Sequence, residues 1–464
     1  VSFIAKGEIM PIQTQNPATE EVIKIFEPLS SKDIEEKIAK AHETYKKHRQ
    51  TSYVERAKKL LKIADILEKN KESYAQIMTT EMGKTLKSSI SEVEKCASLC
   101  RFYAENGEKF LKDRHIKTEN EYSYVTYKPI GIILAVMPWN FPFWQVFRFI
   151  VPNLMAGNVG LLKHASNVPQ CALKIEEIIK KAGFDEGCFQ TLLIESDAIE
   201  NIVGDERIRG VTLTGSEKAG QIVASQAGKV CKKTVLELGG SDAFIVMPSA
   251  DLDEALNKGK TGRTMNNGQS CIAAKRFIVH EDIYDEFKSR FIDIFENLKV
   301  GDPTDDQTDI GPLSMQQTRD DLDELVEKSV KAGATKLCGA HKIDAKGYFY
   351  QPGILENIPE NAPAYTEELF GPVALLFKVK DIDEAIDLAN TVRFGLGSAI
   401  FTNDEAEINK AVQNLDAGST FINSFTASDP KLPFGGVKNS GYGRELAEEG
   451  IREFCNIKTI VKAK

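Results

Sequence analysis

Cys271 closes the run Asn-Asn-Gly-Gln-Ser-Cys at residues 266–271. A thiolate attacks carbonyl carbons, and Gly268 permits a tight turn just ahead of it. Taken alone, a single cysteine is more often a small buried apolar residue. A second group is Glu237-Leu238-Gly239-Gly240, directly after the apolar Thr234–Leu236. A carboxylate at a strand end followed by two glycines either faces a cleft or stands exposed beside a turn. The third is Met137-Pro138-Trp139-Asn140-Phe141-Pro142, where two prolines fix the backbone around a neutral amide. Asn140 there either donates to a developing oxyanion or only organises its own turn.

Three weaker features carry charge or backbone donors. Thr214-Gly215-Ser216, with Gly220 beyond, opens a helix after a strand and can turn N–H groups toward a pyrophosphate. Its glycine spacing differs from the GxGxxG fingerprint. Lys163, at the end of another strand, is a cation for a ribose or phosphate, or a plain surface lysine. Glu367-Glu368-Leu369-Phe370-Gly371-Pro372 sets two acids before a rigid turn.

In this order the motifs resemble the aldehyde dehydrogenase superfamily over nearly the whole chain, and most closely its succinate-semialdehyde dehydrogenase branch. The series is Pro-Trp-Asn-Phe-Pro at 138–142, Lys163, Thr-Gly-Ser at 214–216, Glu-Leu-Gly-Gly at 237–240, Gly-Gln-Ser-Cys at 268–271, Glu-Glu-Leu-Phe-Gly-Pro at 367–372 and Pro-Phe-Gly-Gly at 433–436. The 34-residue interval from Glu237 to Cys271 is similar to the family's own. The resemblance implies that Cys271 attacks the aldehyde, with the Asn140 amide and the Cys271 N–H holding the oxyanion. It implies a thioester that Glu237, as general base, resolves with water. It further implies that Glu368 binds the nicotinamide ribose, with Phe370 and Trp139 beside the cofactor. Gly215 and Ser216 then meet the pyrophosphate, and Lys163 the adenosine ribose.

Relatives that insist on NAD often carry an acid three residues after that lysine; here the position is Ser166. A serine does not repel a 2′-phosphate, so the expectation is NADP or NAD, with NADP accepted and preferred. For the substrate, the resemblance places Arg148 and Gln145 along the tunnel, and adds Phe434 and the hydroxyl of Ser428, just ahead of Leu432-Pro433-Phe434, as substrate-binding groups. An arginine at the Arg148 position implies a distal carboxylate, hence succinate semialdehyde oxidised to succinate. The alternative for Arg148 is a salt bridge at a surface or interface. One departure is Met265, where several such enzymes have a second arginine; the side-chain direction of the nearby Arg263 is open. A broad or short hydroxyaldehyde range, such as glyceraldehyde or lactaldehyde, therefore stays an alternative. Two further rivals are a CoA-acylating dehydrogenase, which Glu237 argues against, and a catalytically silent binding protein.

The elements that must hold these groups fall into an α/β pattern. Helices are expected at 34–48, 53–70 and 74–82, where apolar residues recur every three or four positions. Strands at 132–137, 159–163, 190–194 and 211–214 alternate with helices at 168–182, 199–203 and 218–226, which predicts a parallel sheet. A second α/β stretch has strands at 243–246, 276–279, 373–377 and 398–401, and helices at 283–298, 316–332 and 382–390. The family fold implies a Rossmann-like cofactor domain (1–114 and 129–236), an α/β catalytic domain (237–440) and a small β oligomerisation arm (115–128 and 441–464). In that arm the exposed strand at 121–127 joins Thr459–Val461, so a homodimer or homotetramer is expected.

Composition bounds the remainder. A chain of 464 residues is too long for one core, and its net charge of −9 offers no general attraction to nucleic acid or anionic membranes. No stretch has the length of a membrane span. Val1–Met10 lacks the apolar core of a signal peptide, and Met10 is itself a possible start. The eight cysteines are scattered without a CxxC pair, so neither a disulfide framework nor a bound metal is expected, and the location is cytoplasmic.

Overall fold

A computed structural model describes residues 11–464; the expectations for Val1–Met10 lie outside the described residues. The chain opens with the hairpin Ile12–Gln15 and Val22–Phe26, then four helices. The first two, Ser31–His48 and Tyr53–Lys69, begin with reciprocal caps. In each, a serine accepts from the third backbone N–H while an acid three residues on accepts from the serine's own N–H. The fourth, Leu86–Phe110, is 25 residues long and buries Val93, Cys96, Ala97 and Cys100 on one face.

Two sheets organise the bulk of the chain. The first has six strands in the order Gly441–Tyr442, Lys233–Glu237, Ile208–Thr214, Ile132–Met137, Val159–His164 and Phe189–Thr191. All are parallel except the short first strand, which runs antiparallel to Lys233–Glu237. The second has seven: Thr335–Cys338, Gly353–Glu356, Val373–Val379, Ala274–His280, Asp242–Val246, Ser398–Phe401 and Thr420–Ile422. Only Thr335–Cys338 is antiparallel there. Helices cover both faces, as buried parallel strands require. One apolar core surrounds the first sheet, and two others fill the opposite faces of the second. This is the expected α/β architecture.

A third, antiparallel sheet joins Cys455–Lys462 to Tyr122–Pro129, and the latter to Arg114–His115. Gly441–Tyr442 belongs to the six-stranded sheet, and the helix Ala447–Arg452 packs on Trp144–Ala156. Glu237, set at the start of the expected catalytic segment, is the last residue of a strand in the first sheet. The helix that carries Gln145 and Arg148 runs Trp144–Ala156. Helix Leu252–Thr264 escapes the sequence reading, since Gly259 and Gly262 weaken its helical signature. Its glycine has a packing reason: a Cβ on Gly259 would sit 2.9 Å from the Phe277 ring. Among the described residues, no helix is long and apolar enough to cross a membrane.

Candidate active site

The C-terminal ends of the first sheet's parallel strands face the loop that precedes Ala274–His280, the usual crevice for ligands in such sheets. Asn140 follows Ile132–Met137 and is buried. Its Nδ2 donates to the Gln269 carbonyl at 3.2 Å, which leaves one amide hydrogen for another acceptor. Asn266 returns the contact, its Nδ2 donating to the Asn140 carbonyl at 2.7 Å and to that of Gln269 at 3.0 Å. Asn266 and Asn267 both take the left-handed conformation, at φ 59° and 57°, and Gly268 follows at φ 75°. A Cβ on Gly268 would also lie 2.6 Å from the Gly371 carbonyl oxygen. The turn ahead of Cys271 is thus pressed backbone to backbone against the 367–372 motif.

Cys271 lies in a turn and keeps partial accessibility. Its dense surroundings push the thiol up to about 12, with Glu368 adding to burial while Lys275 and Arg148 oppose both. A Cβ on Gly240 would stand 2.5 Å from the Cys271 carbonyl oxygen, so the Glu-Leu-Gly-Gly turn needs glycine there. Glu237 is only 2% exposed, and neither carboxylate oxygen has a partner among the described residues. Burial, then the neighbouring Glu445, raises its carboxyl well above the ordinary range, against the pull of Arg148 and Arg444. The Pro-Phe-Gly-Gly motif closes over it: a Cβ on Gly435 would be 2.8 Å from Glu237 Oε1.

The two adjacent acids at 367 and 368 part company. Glu367 makes a bidentate pair with Arg393, at 2.6 and 3.1 Å, on a part-exposed surface. Glu368 turns inward, 3.0 Å from the buried Lys275 ammonium. Phe370 meets Trp139 edge to face, with centroids 5.7 Å apart, which ties the 367–372 motif to the 138–142 motif.

On the far side of the first sheet, Lys163 is 7% exposed and makes no hydrogen bond or ion pair with a described residue. Burial alone lowers its ammonium to about 8. A buried, unpaired cation beside Ser166 suits an anionic ligand such as a phosphate. Ser166 also lines a cavity of about 410 Å³, with Gln13, Gln317 and Asp320 on its walls. Ser216 caps helix Glu217–Lys229, its Oγ accepting from the Ala219 N–H at 3.2 Å. A Cβ on Gly215 would meet only the Leu213 side chain, at 3.6 Å, so one side of that turn is open. These features fit a dinucleotide whose phosphates approach the helix N-terminus.

Two of the residues expected on the substrate side, Gln145 and Arg148, lie on helix Trp144–Ala156. Gln145 is buried with Oε1 unpartnered. Arg148 pairs with Glu445, lies 4.6 Å from the Phe434 ring centroid, and reaches Thr214 Oγ1 at 3.5 Å. Thr214 stands in register with Glu237 on the adjacent strand. Ser428 accepts from Lys95 Nζ at 2.7 Å. Arg263 turns away from this space; it donates to the carbonyls of Gly268 at 2.9 Å, Leu369 and Ala274 at 3.3 Å, and Gly371.

Several residues with evident roles here escape the sequence reading. Lys84 and Glu92 form a buried pair beneath the 138–142 turn. Glu92 Oε1 accepts the N–H groups of Phe143 and Trp144, each at 2.8 Å, and so fixes the start of the Arg148 helix. Lys275, Lys95, His164 and Glu445 complete the set. The partners that give Glu92, Lys95 and Lys275 their places are remote in sequence.

The model of the Aldehyde dehydrogenase family matches residues 3–460. Succinate-semialdehyde dehydrogenase (NADP+) 1 of Mycobacterium tuberculosis is 54% identical over 454 residues, 97% of this chain and 99% of that protein. The Mycobacterium avium protein named succinate-semialdehyde dehydrogenase (NADP+) is 54% identical over 97% of this chain and 96% of its own. Among solved structures, succinic semialdehyde dehydrogenase from Streptococcus pyogenes in complex with NADP+ superposes with a TM-score of 0.95 at 39% identity, covering 97% of this chain and 100% of the other.

Proposed function

The chain belongs to the aldehyde dehydrogenase family, and we propose that it oxidises succinate semialdehyde to succinate with NADP+, using Cys271, Glu237 and Asn140. That it is an NAD(P)-dependent oxidoreductase acting on an aldehyde is the premise. The observation that carries the residue roles is convergence. The Asn140 amide, the unpartnered Glu237 carboxyl, the Gly240 turn and the Glu368 carboxylate all meet the loop that bears Cys271.

In this reading a water molecule takes the thiol proton as sulfur bonds to the aldehyde carbon. The oxygen gains charge and accepts from the remaining Asn140 amide hydrogen and the Cys271 N–H. NADP+, when bound, supplies the hydride acceptor that converts the thiohemiacetal to a thioester. Glu237 then takes a proton from water as its oxygen attacks the thioester, and Cys271 leaves as the free thiol while the acid departs. Burial, then Glu445, raises the Glu237 carboxyl above the ordinary carboxylate range, which strengthens it as a proton acceptor. Lys163, Ser166, Gly215 and Ser216 would hold the adenosine and pyrophosphate, and Glu368, Phe370 and Trp139 the nicotinamide side. Arg148, Gln145, Ser428 and Phe434 would line the aldehyde's path.

A homo-oligomer is part of the same proposal. Cys455–Lys462 is an eight-residue edge strand with Ile457 64% and Val461 53% exposed, a surface that favours pairing with a second copy. A cytoplasmic location also belongs to it, resting on the scattered cysteines. The Arg148–Glu445 pair favours a second reading, in which the pocket takes a short uncharged hydroxyaldehyde. Steady-state rates with succinate semialdehyde, glyceraldehyde and lactaldehyde, each with NADP+ and NAD+, separate the two. The first reading expects succinate semialdehyde with NADP+ to give the highest kcat/KM, and no turnover from Cys271→Ala. A higher value for an uncharged aldehyde would replace it with the second.

A further inference from the structure

The Arg148 guanidinium is committed before any substrate arrives. Glu445 pairs with it, the Phe434 ring covers it, and the buried Glu237 carboxyl is close enough to interact with it. A substrate carboxylate placed there would compete with groups the chain already supplies. A second cation stands along the same wall without such competition.

Lys95 lies on helix Leu86–Phe110 and sets its ammonium 4.3 Å from the Trp144 ring centroid. Trp144 opens the helix on which Arg148 follows one turn later, on the same face. Arg148 acts electrostatically on both Lys95 and the Cys271 thiol. Lys95 Nζ donates to Ser428 Oγ at 2.7 Å. The serine, accepting that bond, is free to turn its own hydrogen outward toward an incoming oxygen. Ser428 keeps partial exposure and lies six residues before Phe434, the ring beneath the guanidinium.

The charges around Lys95 leave it without a counter-ion. Glu92, one turn earlier on its own helix, is occupied by Lys84 and by the N–H groups of Phe143 and Trp144. Asp429, on the Ser428 loop, is exposed, and Arg148 opposes the ammonium from the facing helix. Burial and then Arg148 lower Lys95 to about 8, the cost of a cation held without an anion.

We propose that Lys95, with Ser428, is the specificity-determining cation of this enzyme and receives the distal carboxylate of the aldehyde substrate. The proposal rests on the succinate semialdehyde reading and deepens it, since Lys95 then stands in for the second arginine that Met265 leaves out. Arg148 in turn orders Glu445 and Phe434.

The test compares wild type, Lys95→Met and Lys95→Arg on succinate semialdehyde and on butyraldehyde, a neutral aldehyde of the same chain length. Methionine keeps the apolar stem on Trp144 and removes the charge. NADP+ binding, followed by protein fluorescence, checks that each variant is folded. For Lys95→Met the expected result is a KM for succinate semialdehyde raised roughly 10- to 100-fold, the usual worth of a charge-assisted hydrogen bond. Butyraldehyde kinetics should stay within about twofold, and Lys95→Arg should recover most of the lost affinity. In wild type, KM for succinate semialdehyde should climb above pH 8, where the free ammonium loses its proton. Equal losses on both aldehydes, or an unchanged KM for succinate semialdehyde in a wild type that prefers it, would overturn the Lys95 assignment alone. A wild type with no preference for succinate semialdehyde would overturn the substrate reading, and this proposal with it.

Discussion

Lys275 and Glu368 meet 3.0 Å apart beneath the loop that bears Cys271, 93 positions apart in sequence. The same ammonium donates to the carbonyls of Ser270 and Cys271, each at 2.8 Å. One fully buried cation therefore ties the backbone of Cys271, the proposed nucleophile, to the carboxylate proposed to hold the nicotinamide ribose. Lys275→Met would strand a buried carboxylate and leave those two carbonyls without this donor. Breaking one side of a buried pair typically costs about 3–5 kcal/mol. Urea denaturation should register a loss of that order, and adding Glu368→Gln should restore part of it. A single-variant loss below about 1 kcal/mol would show that the pair does not organise the loop.

The cofactor expectation turns on Ser166 and Lys163. Lys163 is buried without a partner among the described residues, so a ligand phosphate would supply the missing anion. Ser166→Glu would place a carboxylate near that cation and beside any 2′-phosphate. The expected outcome is an NADP+ kcat/KM lowered by about 10- to 100-fold, because like charges brought together typically cost a few kcal/mol. NAD+ kinetics should hold or improve. Equal losses on the two cofactors would mean that position 166 does not face the adenosine ribose.

The site's motifs are legible in the sequence because each carries its own local chemistry. Prolines at 138 and 142 fix a turn, and Gly240 permits a backbone approach that any side chain would block. The supports are not legible, because they are long-range. Glu92 reads as a solvated helix acid until its partners, more than 50 residues away, are brought over it. Lys275 sits in a strand whose burial depends on Val373–Val379 and Asp242–Val246 pairing on either side. The acids Glu367 and Glu368 are equivalent in sequence; only the positions of Arg393 and Lys275 divide them into a surface pair and a site carboxylate. The Arg148 pairing with Glu445 is likewise open in sequence, since the bridge between Phe434 and Glu445 that sets it is tertiary.

His164 makes the site's scaffold sensitive to acid. Its Nε2 lies 2.9 Å from the Pro142 carbonyl, and its Nδ1 lies 3.0 Å from the Ala165 N–H and 3.2 Å from the Met137 carbonyl. Burial lowers the imidazole from 6.5 to about 4. A value depressed by folding stabilises the protein fully above pH 6.5 and ceases to do so as pH falls toward 4. One such group is worth about 3 kcal/mol across that window. His48, also lowered to about 4 by burial, adds a similar term. Urea midpoints should fall steeply between pH 6.5 and 4, and His164→Gln should roughly halve the slope. A wild-type midpoint that stays flat over that range would refute the assignment of these two groups.

Cys271 closes the set through its own proton. Burial and Glu368 hold the thiol at about 12 in the free protein, so at pH 7 the thiolate is a minute fraction. Alkylation by iodoacetamide requires the thiolate. Its rate at Cys271 should therefore rise about tenfold per pH unit from pH 7 to 10, without a plateau. Lys275→Met removes a cation that pulls the thiol down, and should slow alkylation at every pH in this range. Glu368→Gln removes an opposing charge and should speed it. The two substitutions thus move the rate in opposite directions, which general loosening of the loop would not do. Peptide mapping of the labelled protein separates Cys271 from the exposed Cys231. A plateau near pH 8 at Cys271 would mean that the free enzyme already holds a thiolate, and that the nucleophile does not wait for substrate to lose its proton.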